Sequence, residues 1–138
     1  MAAATRNENV TFFVMNNTVY GMTGGQMAPT SMIGQTTSSS KSGRSVEDSG
    51  ENFDVVKVMG GLDIAYLART SVTNPANVAK TKKLVRKALE KQRDNKGFSL
   101  VEVLVPCPTN WGMSAPQSMK HIDEVVSKQY ELGEFIDR

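Results

Sequence analysis

Residues 10–15, Val-Thr-Phe-Phe-Val-Met, form an unbroken run of apolar, β-branched and aromatic side chains. With no alternation, no face is left for water, so the run reads as a strand covered on both faces, as in a parallel sheet. Such a strand needs a neighbour on each side and a layer above and below. Starting so early in the chain, it points to a sheet that is half of something larger.

The stretch that follows is unlike it. NNTVYGMTGGQMAPTS, residues 16–31, holds Gly21, Gly24 and Gly25, two adjacent asparagines and no charged residue. In open α/β sheets, ligands sit at the carboxyl ends of strands, the place this stretch occupies. Asparagine and backbone carbonyl oxygens are hard donors suited to magnesium. Glycines let N–H groups approach a phosphate, and no carboxylate is present to repel one. On these residues alone, a magnesium–diphosphate site and a plain Gly-rich turn stand about level.

Further along, residues 36–52 (TTSSSKSGRSVEDSGEN) are polar and aperiodic, and read as a long surface loop or mobile segment. A short helix over 53–59 stops at Gly60-Gly61. Residues 62–70, LDIAYLART, read as a second strand. Asn74 and Pro75 suit the cap and first position of a helix with Val78, Leu84, Val85, Ala88 and Leu89 near one face, ending at Gly97. Residues 98–105, FSLVEVLV, read as a third strand that Pro106-Cys107-Pro108 must break. Ser114 or a neighbour caps a last helix, with Met119, Ile122, Val125 and Val126 inward, ending near Gly133. The order implies an α/β fold: a partial parallel sheet with flanking helices, in one domain over 1–138.

Several function classes drop out. The net charge of +2 is too small to argue for nucleic acid. The basic run from Lys80 to Lys96 lacks interleaved aromatics, so it reads as a solvated helix face. No apolar stretch approaches the roughly 20 residues of a membrane helix, and MAAATRNENV lacks signal-peptide order. Cys107 is the lone cysteine, which precludes an internal disulfide and suits a reducing cytosol. The expectation is a cytoplasmic protein with no membrane or nucleic-acid partner. His121 reads as a surface histidine. Trp111 and Met113 read as a shield for a nearby group or as simple packing.

Two motifs carry a resemblance. Asn16-Asn17-x-x-Tyr20-Gly21-Met22-Thr23-Gly24-Gly25-Gln26-Met27-Ala28-Pro29-Thr30 closely resembles the thiamine-diphosphate subunit of 2-oxoacid:ferredoxin oxidoreductases. Thr73-Asn74-Pro75, Lys96-Gly97-Phe98-Ser99, Val101-Glu102-Val103-Leu104 and Pro106-Cys107-Pro108-Thr109-Asn110-Trp111-Gly112-Met113 agree, in the right order. The CPTNWGM run is most similar to the 2-oxoisovalerate branch, with the 2-oxoglutarate branch second. The likeness is weakest across 38–52, where a Thr/Pro-Tyr-Gly-Arg pattern is replaced by Ser-rich sequence.

The resemblance implies the C-terminal half of a thiamine-diphosphate-binding fold. It implies magnesium held by Asn17, by the Val19 backbone carbonyl and by the aspartate of a Gly-Asp-Gly motif that this sequence lacks. Gly21 and Met22 match diphosphate contacts, Thr23 lies near the cofactor, and Asn16 shapes the turn. Cys107 matches the fourth thiolate of a 4Fe–4S cluster, which needs four; the family's other three lie in the N-terminal part. The implied activity is oxidative decarboxylation of a 2-oxoacid to an acyl-CoA with reduction of ferredoxin. The implied partners are the N-terminal half, the remaining subunits, ferredoxin, coenzyme A and the 2-oxoacid. The basic run would suit an acidic ferredoxin. The alternative is an inactive fragment or docking module without catalysis; a generic phosphate-binding module is a third reading.

Overall fold

The structure, a computed structural model, describes residues 1–138. In chain order its elements are α1 (Ala2–Thr5), β1 (Thr11–Asn16), β2 (Val19–Tyr20), β3 (Gln26–Met27), α2 (Val46–Ser49), α3 (Val55–Met59), β4 (Tyr66–Ser71), α4 (Pro75–Arg93), β5 (Ser99–Leu104), α5 (Pro108–Trp111), α6 (Ala115–His121), a π-helical turn (Ile122–Val126), α7 (Ser127–Gln129) and β6 (Gly133–Asp137). Caps set the helix starts. Asp54 accepts from the Val56 and Lys57 amides to begin α3. Asn74 accepts from the Asn77 amide ahead of Pro75 to begin α4. Ser114 and Gln117 form a reciprocal capping box at α6.

Four strands form one sheet in the order β1-β5-β4-β6. β1, β5 and β4 are parallel, with Thr11, Ser99 and Tyr66 in register. β6 runs antiparallel to β4. The expected three-stranded parallel sheet is therefore a mostly parallel one with an antiparallel edge. The sequence reading ends the last helix near Gly133 and places no strand there; with Ile136 the only buried side chain in its five residues, β6 has no apolar run to announce it. The second strand also begins later than Leu62, at Tyr66.

One face of the central strands carries Leu67, Leu100 and Leu104 against α1, α3 and the last helices, through Ala4, Val56, Met59, Ile122 and Val126. The other carries Tyr66, Ala68, Val101 and Val103 against Leu84 and Ala88 of α4. Every residue of β4 and β5 is buried.

β1 departs from expectation most. Its burial on both faces does not occur in this chain: Phe12 is 48 % exposed, Phe13 41 % and Met15 57 %. The reason is positional. β5 supplies one neighbour, and no strand lies along the other edge.

Segment 36–52, expected as a long surface or mobile loop, is wound around Arg44. This buried guanidinium donates to six carbonyls, those of Ala28, Pro29, Ser31, Ser49, Gly50 and Glu51. It thereby ties the loop after the glycine stretch to the end of α2.

Candidate functional site

Because β1 and β5 are parallel neighbours, the two quoted motifs leave the sheet side by side. Asn16 pairs with Leu104, and the Val105 amide extends the ladder to the Asn16 carbonyl at 3.0 Å. The glycine-rich loop and the Pro-Cys-Pro turn then bond to each other. Trp111 Nε1 donates to the Asn17 carbonyl at 3.1 Å. Asn110 Nδ2 donates to the Gly21 carbonyl at 3.0 Å and to Cys107 Sγ at 3.2 Å. A Cβ on Gly21 would lie 3.2 Å from Asn17 Nδ2 and 3.4 Å from Cys107 Sγ. Gly25 has φ +79°, and a Cβ there would lie 2.8 Å from Asn110 Oδ1. Glycine at 25 is thus required twice, by conformation and by space.

The adjacent asparagines do different work. Asn16 is buried; its Oδ1 accepts from the Thr18 amide at 3.0 Å and its Nδ2 donates to Glu102 Oε1 at 2.8 Å. It shapes the turn, as expected. Asn17 is half-buried, and its Oδ1 accepts only a 3.3 Å contact from the Val19 amide. Thr18, directly after them, takes φ +61°, held by Gln35 Nε2 on its hydroxyl and by the Ser31 hydroxyl on its carbonyl.

Behind Asn16 lies a buried charge network that the sequence reading did not single out. Arg69 on β4 is in register with Glu102 on β5 and pairs with both Glu102 and Asp54. The Tyr130 ring lies 5.1 Å from its guanidinium carbon, and burial pushes the Tyr130 hydroxyl up to about 12. One cation faces two carboxylates. The surplus negative charge is met by the α3 amides on Asp54 and by Asn16 on Glu102. Glu102 sits in the quoted VEVL motif, but a lone acid in an apolar strand reads as an interruption until its partner on the next strand is known.

His121 differs from the expected surface histidine. It is half-buried, packed edge-on against Trp111 with ring centroids 5.2 Å apart. Burial lowers its affinity for a proton. The two rings, with Met32, Ile33, Met113 and Val125, line a cavity of about 420 Å³ that also reaches Asn110.

The structure brings Asn17, Gly21 and Cys107 together. Met22 projects fully into solvent. Thr23 is exposed and turned back on its own loop, its hydroxyl donating to Gln26 Oε1 at 2.7 Å. Trp111 and Asn110 are the bridging residues missing from the sequence-derived set; their place in the CPTNWGM motif was the available signal. No group of three or more His, Cys, Asp and Glu gathers anywhere. The donors fit the implied groups as partial ligand sets. Asn17 Oδ1 and the Val19 carbonyl are uncharged hard oxygens of the kind magnesium takes. Cys107 is a free, half-buried thiol that accepts an N–H, fitting one ligand of a cluster. No helix is long and apolar enough to cross a membrane.

Comparison with known proteins gives a consistent picture. The C-terminal TPP binding domain of thiamine pyrophosphate enzymes matches residues 1–103. The ketoisovalerate oxidoreductase subunit VorA of Methanothermobacter marburgensis is 40% identical over 137 residues, 99% of this chain and 29% of its own length. The 2-oxoglutarate synthase subunit KorB of Archaeoglobus fulgidus is 36% identical over 122 residues, 88% of this chain and 42% of its own. The chain thus spans less than half the length of these relatives. In fold it resembles a chain of the 2-oxoglutarate:ferredoxin oxidoreductase from Magnetococcus marinus, solved with 2-oxoglutarate, coenzyme A and succinyl-CoA bound. The TM-score is 0.66 at 20% identity, covering 99% of this chain and 50% of that one.

Proposed function

The chain belongs to the thiamine pyrophosphate enzymes, by their C-terminal TPP (thiamine diphosphate) binding domain, and from that premise we propose that it is the cofactor-binding part of a 2-oxoacid:ferredoxin oxidoreductase. The assembled enzyme oxidatively decarboxylates a 2-oxoacid of the 2-oxoisovalerate or 2-oxoglutarate type to an acyl-CoA and reduces ferredoxin. The observation that carries this reading is the seating of the glycine-rich loop on the Pro-Cys-Pro turn, which sets Gly21 against Cys107. A loop for a diphosphate and a thiolate for an electron acceptor are of use to one reaction only when adjacent.

In this reading Asn17 Oδ1 and the Val19 carbonyl hold magnesium, with a carboxylate from outside the chain. Gly21 and Met22 lie along the diphosphate, with Thr23 beside it. Trp111 fixes the Asn17 carbonyl, and Asn16, gripped by Glu102, holds the turn before the ligand has arrived, a preorganisation that limits the ordering cost of binding. Bound thiamine diphosphate supplies the carbanion-stabilising chemistry that no side chain here offers. Cys107 donates one thiolate to a 4Fe–4S cluster, the other three coming from polypeptide beyond this sequence.

The same reading makes 1–138 one domain completed by an N-terminal half, with further subunits, ferredoxin and coenzyme A as partners. Exposed Phe12, Phe13 and Met15 on β1 favour that completion. The lone free thiol favours a cytoplasmic location. The test is anaerobic purification of the chain from its host, with co-purifying polypeptides identified by intact mass and thiamine diphosphate and iron measured. Partner polypeptides bringing both are expected. A lone chain carrying neither would overturn the proposal.

A further inference from the structure

Asn110 hydrogen-bonds both the glycine-rich loop and the cysteine of the proposed site. Its Nδ2 carries two hydrogens. One is directed to the Gly21 carbonyl at 3.0 Å and the other to Cys107 Sγ at 3.2 Å. Its position is over-determined. It lies within α5, the four-residue helix that Cys107 precedes, and its Oδ1 and Cβ fill the space that a side chain on Gly25 would occupy. The residue is half-buried, and the contact with Gly25 on its oxygen side and the two hydrogen bonds on its nitrogen side define the orientation of its carboxamide.

Resting on the proposed function, we infer that Asn110 is a positioning residue that sets the reduction potential of the cluster ligated by Cys107 while holding the Gly21 bend of the cofactor loop. Hydrogen bonds to cluster sulfurs are among the main determinants of cluster potential. Reduction adds one electron to a cluster whose thiolate already carries negative charge. An N–H aimed at that sulfur stabilises the reduced form more than the oxidised form, so it raises the potential. The same nitrogen holds the loop carbonyl, so the electron acceptor and the cofactor loop are anchored to one group.

The test uses the assembled oxidoreductase with this chain carrying Asn110→Asp, Asn110→Ala or Cys107→Ala. Asn110→Asp keeps the volume that Gly25 packs against and removes both donors; Asn110→Ala removes them without adding charge. The readout is a redox titration followed by electron paramagnetic resonance, with thiamine diphosphate affinity measured in parallel. Cys107→Ala identifies the relevant cluster by the signal it removes. In both Asn110 variants that signal is expected to persist, with reduction about tenfold less favourable, which is about 59 mV for a one-electron couple. Weaker thiamine diphosphate binding is expected alongside. An intact signal at an unchanged potential would overturn the role of Asn110 and leave the proposed function standing. A full set of cluster signals in Cys107→Ala would overturn both.

Discussion

β1 and β5 are neighbours of similar apolar character with different fates. β5 lies between two strands and every one of its residues is buried. β1 has a partner on one side and leaves two phenylalanines and a methionine in water. Apolar content does not separate them; the number of neighbours that the chain supplies does. A run without alternation states how much cover a strand requires, and says nothing about which polypeptide provides it.

Substitutions in the two regions should therefore separate sharply. The largest effect is expected at the charges between the central strands. Arg69→Ala leaves Asp54 and Glu102 buried without their cation, and should destabilise the chain by about 3–5 kcal/mol in denaturant titrations. Leu100→Ala on β5 should cost about 2–5 kcal/mol. Phe13→Ala, on the half-exposed edge, should cost about 1 kcal/mol or less. The comparison fails if the edge substitution matches the central one in the chain alone. It sharpens if Phe13→Asp leaves the chain folded but prevents recovery of the proposed N-terminal partner on affinity purification.

An effect between those of the central strands and the β1 edge is expected where the two motifs meet. Gly25→Ala forces a side chain into positive φ and into Asn110, at a cost of about 1–3 kcal/mol. It should also weaken thiamine diphosphate binding by the assembly, measured by calorimetry.

The smallest effect lies at the other edge. Lys87 bridges Glu134 and Asp137, and Lys91 also reaches Asp137. Hydrogen bonds from Lys87 hold both carboxyls below their ordinary values of 4.5 and 3.8. Depressed carboxyls stabilise the fold above their unfolded-state values, and that contribution is lost as pH falls through the folded ones. These groups are partly exposed, so well under about 1 kcal/mol should disappear on acidification below that range. Lys87→Met should reduce the dependence, with Lys91 still holding Asp137.

How much of this was legible in the sequence follows from the range of each signal. Asn74-Pro75, Ser114 and Gly60 act within one turn, and they mark the starts of α4 and α6 and the end of α3. The two motifs gave candidate ligands, but their contact depends on β1 and β5 being parallel neighbours, a pairing across more than eighty residues. Arg69 and Glu102 were invisible for the same reason, since each looks misplaced until the strands are in register. Arg44 was hidden in polar sequence because it binds carbonyls, which leave no mark in residue identity.

In the proposed site, one loop and one thiolate do separate jobs in adjacent places. The most direct measurement is the thiamine diphosphate and iron content of the assembled complex with this chain carrying Asn17→Ala or Cys107→Ala. Asn17→Ala is expected to lose the cofactor and keep its iron, and Cys107→Ala to lose one cluster's iron and keep the cofactor. Retention of both groups in both variants would contradict this division.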